Sequence, residues 1–283
     1  MFDIAISVAF YTAVGLLYKL GGKQGRNLLA TNLAVFAAGT LAALAFGALT
    51  QGLALDRKAA GFGAAAGLAS VAANIAFLLA VRSGRLAVSW TVFNMALIVP
   101  VVVAMLVWGE GVTLQRVLGI AVTLTALLLL GADKSRAETQ TGAAGAGLAW
   151  RCLIAAAFLS NGMLMTLNKA FKSSGSVGGP FGYLAVYFGV GLAVSILLHA
   201  WYRPVVAWRD AAIGAGIGAF SVLGAFFLLR ALSHQPATLV FPASSAGNLV
   251  LVALLSAPLF RETLSWKGWS GVALGAVALA LMN

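Results

Sequence analysis

The seven acidic residues of this chain keep to edges and connections: Asp3, Asp56, Asp133, Glu138 and Asp210 lie at the chain end or between apolar runs, and Glu110 and Glu262 sit at run boundaries. No carboxylate stands in the middle of a run, so a proton relay or a pocket for organic cations has no counter-charge to be built from. The cations near the runs are Lys19, Lys169 and Arg230, whose chemistry suits a carboxylate, a phosphate or a zwitterion. Snorkelling competes with that use. Lys19 stands 15 residues beyond Ile4, about 22 Å along a helix, where an ammonium reaches water at the far interface. The same holds for Lys169, and the sharper alternative for both is a gate. Arg230 reads chiefly as an interface anchor.

The remaining polar side chains at mid-run are neutral: Tyr11, Asn74, Trp90, Asn94, Ser160, Asn161, Asn168, Tyr183, Tyr187, Ser244, Ser245 and Asn248. Each amide or hydroxyl can bind a solute or tie two helices together. Trp90, Phe93 and Asn94 are spaced i, i+3, i+4 and share one helix face, a candidate wall. Tyr183 and Tyr187, at i and i+4, line the same wall or belong to an interfacial belt. Pro100, Pro242 and Pro258 remove backbone donors and are expected to kink their helices, which adds weight to Asn94 and Asn248 nearby. Catalytic chemistry has no purchase. There is no GxSxG, HExxH or Cys/His dyad, and His234 beside Ser233 is an isolated pair. With one cysteine, Cys152, and two histidines, no disulfide, metal centre or cofactor site is expected.

The elements that would position these groups follow from composition. The chain has 283 residues, 61% hydrophobic and 9% charged, with mean hydropathy +0.99, beyond what a soluble core uses. Ten apolar runs stand out, at about 2–20, 29–50, 59–81, 86–107, 115–132, 148–170, 181–201, 211–232, 237–259 and 266–282. Such lengths predict membrane-crossing helices, because hydrocarbon admits only segments that satisfy their own backbone and these are too long for barrel strands. The first run lacks a basic leader region and reads as a mature span rather than a signal peptide. The net charge of +11 lies mostly in short connections, which fits anionic headgroups and argues against nucleic acid. The bases favour the odd-numbered connections, which would put both termini outside.

The least apolar connection, near 134–147, divides the chain into two five-run halves, 1–133 and 148–283. Sliding one half along the other places Lys19 on Lys169 and Gly39 on Gly189. It also places Gly63, Gly67 and Ser70 on Gly214, Gly218 and Ser221, and Glu110, Thr113 and Gly119 on Glu262, Ser265 and Gly271. Five crossings per half is an odd number, so the expected fold class is an all-α integral membrane protein of ten transmembrane helices in two inverted five-helix repeats. The GxxxG glycines read as helix-packing positions. Thr113 and Ser265 read as N-caps, with Glu110 and Glu262 as helix-terminal carboxylates or a gate ion pair.

The stretches WGEGVTLQRVLGIAVTLTALLLLGAD from Trp108 and FRETLSWKGWSGVALGAVALALMN from Phe260 resemble the closing signature of each repeat in EamA-type proteins of the drug/metabolite transporter superfamily. The ten-span layout, the repeat length and a Lys late in the first span of each half are similar to that family too. The resemblance implies a multi-pass inner-membrane carrier working by alternating access, with termini more often cytoplasmic and no fixed substrate. Combined with the missing acids, it points to export or exchange of a small anionic or zwitterionic metabolite. The alternatives are a neutral or amphipathic solute, or a non-transporting scaffold. Expected solute contacts are Tyr11, Asn74, Trp90, Asn94, Asn161, Lys169, Tyr187 and Asn248, with Lys19, Glu110 and Glu262 at gates. The partners are a small-molecule substrate, the lipid bilayer and, as an open option, a second copy in a homodimer.

Overall fold

The computed structural model describes residues 1–23, 28–50, 52–81, 86–139, 147–202, 207–260 and 265–282. Among them there is no strand. The helices are α1 (Phe2–Lys23), α2 (Leu28–Leu49), α3 (Arg57–Val81), α4 (Leu86–Asn94), α5 (Ile98–Val107), α6 (Leu114–Thr139), α7 (Leu148–Ser173), α8 (Pro180–Tyr202), α9 (Trp208–His234), α10 (Ala237–Phe260) and α11 (Trp266–Met282). Counting α4 and α5 as one span, nine spans among the described residues are long and apolar enough to cross a membrane, and α11 is a shorter apolar helix. The chain is all-α and multi-pass. Every apolar run of the sequence is a helix, because a run of that length satisfies its backbone only within itself once water is excluded.

Two details depart from the sequence expectation. α6 does not stop at the polar connection but continues to Thr139, since the sequence Asp-Lys-Ser-Arg-Ala-Glu contains no glycine or proline to end a helix. The prolines also differ in effect. Before Pro100 the chain tightens into a 3₁₀ turn, Met95–Leu97, where the missing proline N–H would otherwise serve the Ala96 carbonyl. Pro242 and Pro258 lie inside α10, which runs unbroken.

Contacts divide the chain into two compact units, each drawing helices from both sequence halves. The first comprises Met1–Val71 and Leu167–His234. In it α1 runs antiparallel to α9: Gly21 faces Ile213, Gly216 faces Leu17, Gly224 faces the Tyr11 ring, and Asp3 lies 3.5 Å from Arg230. α2 runs antiparallel to α8, with Gly47 against Phe181, the Phe188 ring over Gly39 and the Phe36 ring over Gly191. The two phenylalanines and the two glycines are each 152 residues apart, so the contact is reciprocal. It pairs Gly39 with Gly191 rather than with Gly189, beside which there is open space.

The same unit packs α3 parallel to α8 through Gly63 and Gly67, and α9 parallel to α2 through Gly214 and Gly218. A Cβ on Gly63 would sit 2.9 Å from the Tyr183 carbonyl, and on Gly67 2.5 Å from that of Tyr187. Gly214 and Gly218 meet the Thr31 and Val35 carbonyls in the same way. Between apolar helices in lipid there is no hydrophobic drive, so close backbone approach at small residues supplies the dispersion energy.

The second unit comprises Ala72–Thr166 and Gln235–Asn283. Here α6 and α11 run antiparallel. Gly119 faces Met282 and the Ala278 carbonyl, while Gly271 faces Leu130 and the Ala126 carbonyl. These equivalents are again 152 apart. The expected caps are in place: Thr113 Oγ1 accepts the Arg116 N–H at 3.4 Å, and Ser265 Oγ accepts that of Lys267 at 3.2 Å.

Candidate functional site

In the first unit, four of the five tyrosines of the chain gather. Tyr11 and Tyr18 come from α1, Tyr183 and Tyr187 from α8, the last two with ring centres 6.5 Å apart. They do not share one role. Tyr183 is fully buried, lies face to face with Phe171 at 4.3 Å between ring centres, and donates to Asn168 Oδ1 at 2.7 Å. That makes Tyr183 and Asn168 a core pair joining α8 to α7, not a wall. Tyr187 donates to Ser70 Oγ of α3 at 3.1 Å and remains half-buried, as do Tyr11 and Tyr18. The Tyr11 ring packs against Gly224 of α9, and the Tyr187 ring lies 4.5 Å from that of Phe188.

Lys19 and Lys169 both belong to this unit and are half-buried. Arg230 sits against the Phe226 and Phe227 rings, at 5.8 and 5.6 Å, as well as beside Asp3. A guanidinium held by two aromatic faces and one carboxylate is an anchor fixing the start of α1 to the end of α9. Sequence reasoning missed Tyr18 and Ser70. Tyr18 had a signal, because seven residues separate it from Tyr11 and place both on one face of α1. Ser70 had none, since only packing brings it to Tyr187.

The second unit holds the Trp90 face. Phe77, Trp90 and Phe93 form one aromatic group, with ring centres 5.0 to 6.4 Å apart, so the predicted shared face is real. The amides beside it are already engaged. Asn94 turns its Nδ2 back to the Trp90 carbonyl of its own helix at 2.7 Å. Asn161 donates to the Phe93 carbonyl at 3.1 Å, just before the 3₁₀ turn, where the change of hydrogen-bond pattern frees carbonyls from their usual donors. Asn161 is therefore an interhelical tie at the break in span four. Trp150 Nε1 similarly donates to Ser89 Oγ at 3.1 Å. Asn74 and Asn248 are half-buried in this unit.

Glu110 has a structural task that differs from the expected one. Gly109, at φ +60, turns the chain after α5, and Trp108 and Glu110 N–H both bond the Ala104 carbonyl. This is a helix stop that L-residues other than glycine adopt at a cost. The turn aims the Glu110 carboxylate at the start of α10, where it accepts the Ala237 and Thr238 N–H groups at 3.0 Å each. Glu110 thus caps α10 rather than the following helix α6. Glu262 lies outside the described residues.

A last cluster escaped the sequence reading. Asp56, ahead of α3, accepts from Ala59 N–H at 2.7 Å, from the Ser176 hydroxyl at 2.7 Å and from Val177 N–H at 3.2 Å. Lys58 Nζ donates to the Ser174 carbonyl at 2.7 Å, and Gly179 N–H to Ala54 O at 2.6 Å. The hydrogen bonds from Ser176 and Ala59, with a lesser one from Val177, lower the Asp56 carboxyl below its ordinary value against an opposing desolvation.

Comparison with known proteins adds the fold alone. No family model matches the sequence, and no curated protein matches it. Among solved structures, a chain described only as "Crystal structure of protein" superposes with a TM-score of 0.79 at 17% identity, over 99% of this chain and 94% of that one.

Proposed function

We propose that the chain is a secondary transporter of the EamA type, built from two inverted five-helix repeats, that exports or exchanges a small anionic or zwitterionic metabolite across the inner membrane by alternating access. The observation that carries the reading is the antiparallel, reciprocal packing of repeat-equivalent helices, α2 with α8 and α6 with α11. A helix that packs antiparallel to its own equivalent, with the contact returned at the same spacing, is what an inverted duplication generates and a parallel one does not. Such repeats underlie carriers that alternate between two mirror-related states, although fold by itself never names a substrate.

The solute class follows from the polar inventory. The first unit carries the half-buried phenols Tyr11, Tyr18 and Tyr187 together with the half-buried Lys19 and Lys169. Donors and ammonium groups favour a carboxylate or phosphate over a cation. The second reading, a neutral or amphipathic solute with both lysines at the interface, is favoured by the aromatic group around Trp90.

Counterflow in proteoliposomes tests the proposal. Transport of an anionic or zwitterionic metabolite should fall in Tyr187→Phe, Lys19→Ala and Lys169→Ala. Unchanged transport in the two lysine variants would leave the neutral-solute reading, and absence of any solute flux across a metabolite panel would leave a scaffold.

A further inference from the structure

The start of α9 and the end of α1 enclose an open groove of about 240 Å³ lined by Leu20, Trp208, Arg209, Ala212 and Ile213. It exists because the two antiparallel helices meet through small residues: Gly21 lies 3.7 Å from Ile213 and Gly216 3.1 Å from Leu17, measured from where a Cβ would be. The larger side chains on either side are left standing as walls. The floor is apolar, and the rim is not. Trp208 is 74% exposed, and the Arg209 guanidinium lies over its ring at 5.6 Å.

We propose that this groove is a site for an anionic phospholipid, its phosphate on Arg209 and one acyl chain along Leu20, Ala212 and Ile213. Three observations select that occupant. Arg209 and Trp208 stand in the first turn of an apolar helix long enough to cross a membrane, the depth at which headgroups and indoles meet. The cation–π contact with the indole, at 5.6 Å from the ring centre, uses the guanidinium's charge and not its N–H groups, which a phosphate can accept in bidentate fashion. The neighbouring acid lies away from the rim: Asp210 is 3% exposed and accepts the Ala207 N–H at 3.2 Å. A groove with an apolar floor and, among the described residues lining it, one cation at headgroup level matches a lipid end to end, whereas a soluble phosphate would use only the rim.

The test uses the full chain in nanodiscs, comparing bilayers of phosphatidylcholine with bilayers also containing phosphatidylglycerol. Lipid co-released in native mass spectrometry and the unfolding midpoint are the readouts. Wild type should retain phosphatidylglycerol preferentially and unfold later in its presence. Arg209→Ala should weaken retention roughly tenfold, the worth of a charge-assisted hydrogen bond. Arg209→Lys should recover part of it. Ala212→Phe, which fills the groove and spares the charge, should lower retention of both lipids, while Arg151→Ala, an exposed base elsewhere, should match wild type. Equal retention of the two lipids by wild type would overturn the proposal, as would wild-type retention in both Arg209→Ala and Ala212→Phe. Stabilisation reproduced by inorganic phosphate alone would replace the lipid by a free anion. A concentration-dependent dimer lost only in Ala212→Phe would replace it by a second copy.

Discussion

The Tyr183 hydroxyl donates to Asn168 Oδ1 at 2.7 Å in a fully protein-lined setting, while four residues along the same helix Tyr187 donates to Ser70 at 3.1 Å and stays half-buried. One turn of α8 separates a fully buried tie from a half-buried one.

That contrast fixes a paired expectation. Tyr183→Phe strands a buried amide oxygen, which costs about 1–3 kcal/mol, so its unfolding midpoint in detergent should drop clearly while transport by the folded fraction persists. Tyr187→Phe should leave the midpoint within the range of about 0.5–1.5 kcal/mol for a partly exposed hydrogen bond and reduce transport. The reverse pattern would exchange the two roles.

The glycine contacts yield a symmetric outcome. Gly67→Leu and Gly218→Leu each drive a side chain into a backbone carbonyl, that of Tyr187 or Val35. Both should destabilise by at least the roughly 1–3 kcal/mol of overpacking. Gly61→Ala, with nothing near the added carbon, should be neutral or slightly stabilising because alanine is the better helix former. Equal tolerance of all three in thermal unfolding would contradict the close approach.

Removing the Glu110 carboxylate frees two N–H groups at the start of α10. Glu110→Ala should cost about 0.5–2 kcal/mol, as helix caps do, and Glu110→Gln less. Hydrogen exchange provides the local readout: the amides of Ala237 and Thr238 should exchange faster, and the interior of α10 should not.

The Asp56 clasp has a defined pH dependence. Its folded-state value lies below the ordinary carboxylate value of 3.8, so the stabilisation is complete above that value and is lost as pH falls through the lower folded one. Exchange protection of the Ala59 and Val177 amides should be flat near neutrality and decline only in strong acid, and Asp56→Asn should abolish the decline. Loss of protection between pH 5 and 7 would mean that another group holds the connection.

Sequence alone was sufficient for the apolar helices, nine of them long enough to cross a membrane among the described residues, for the caps at Thr113 and Ser265, and for the aromatic face at Trp90. Each of these depends on residues within a few turns of one helix, where period, run length and capping chemistry decide the outcome. It was insufficient wherever a partner came from a distant segment. Nothing local tells that Asn161 serves a carbonyl freed beside a 3₁₀ turn, that Glu110 caps α10 across 127 residues, or that Asp56 grips Ser176. Glycine spacing announced close packing, but only the tertiary structure decided which carbonyl each glycine meets, and hence that Gly39 answers to Gly191. In lipid the apolar surfaces of helices are interchangeable. Partners are therefore chosen by backbone approach and by the few polar groups that must find each other, and both are properties of the assembled chain.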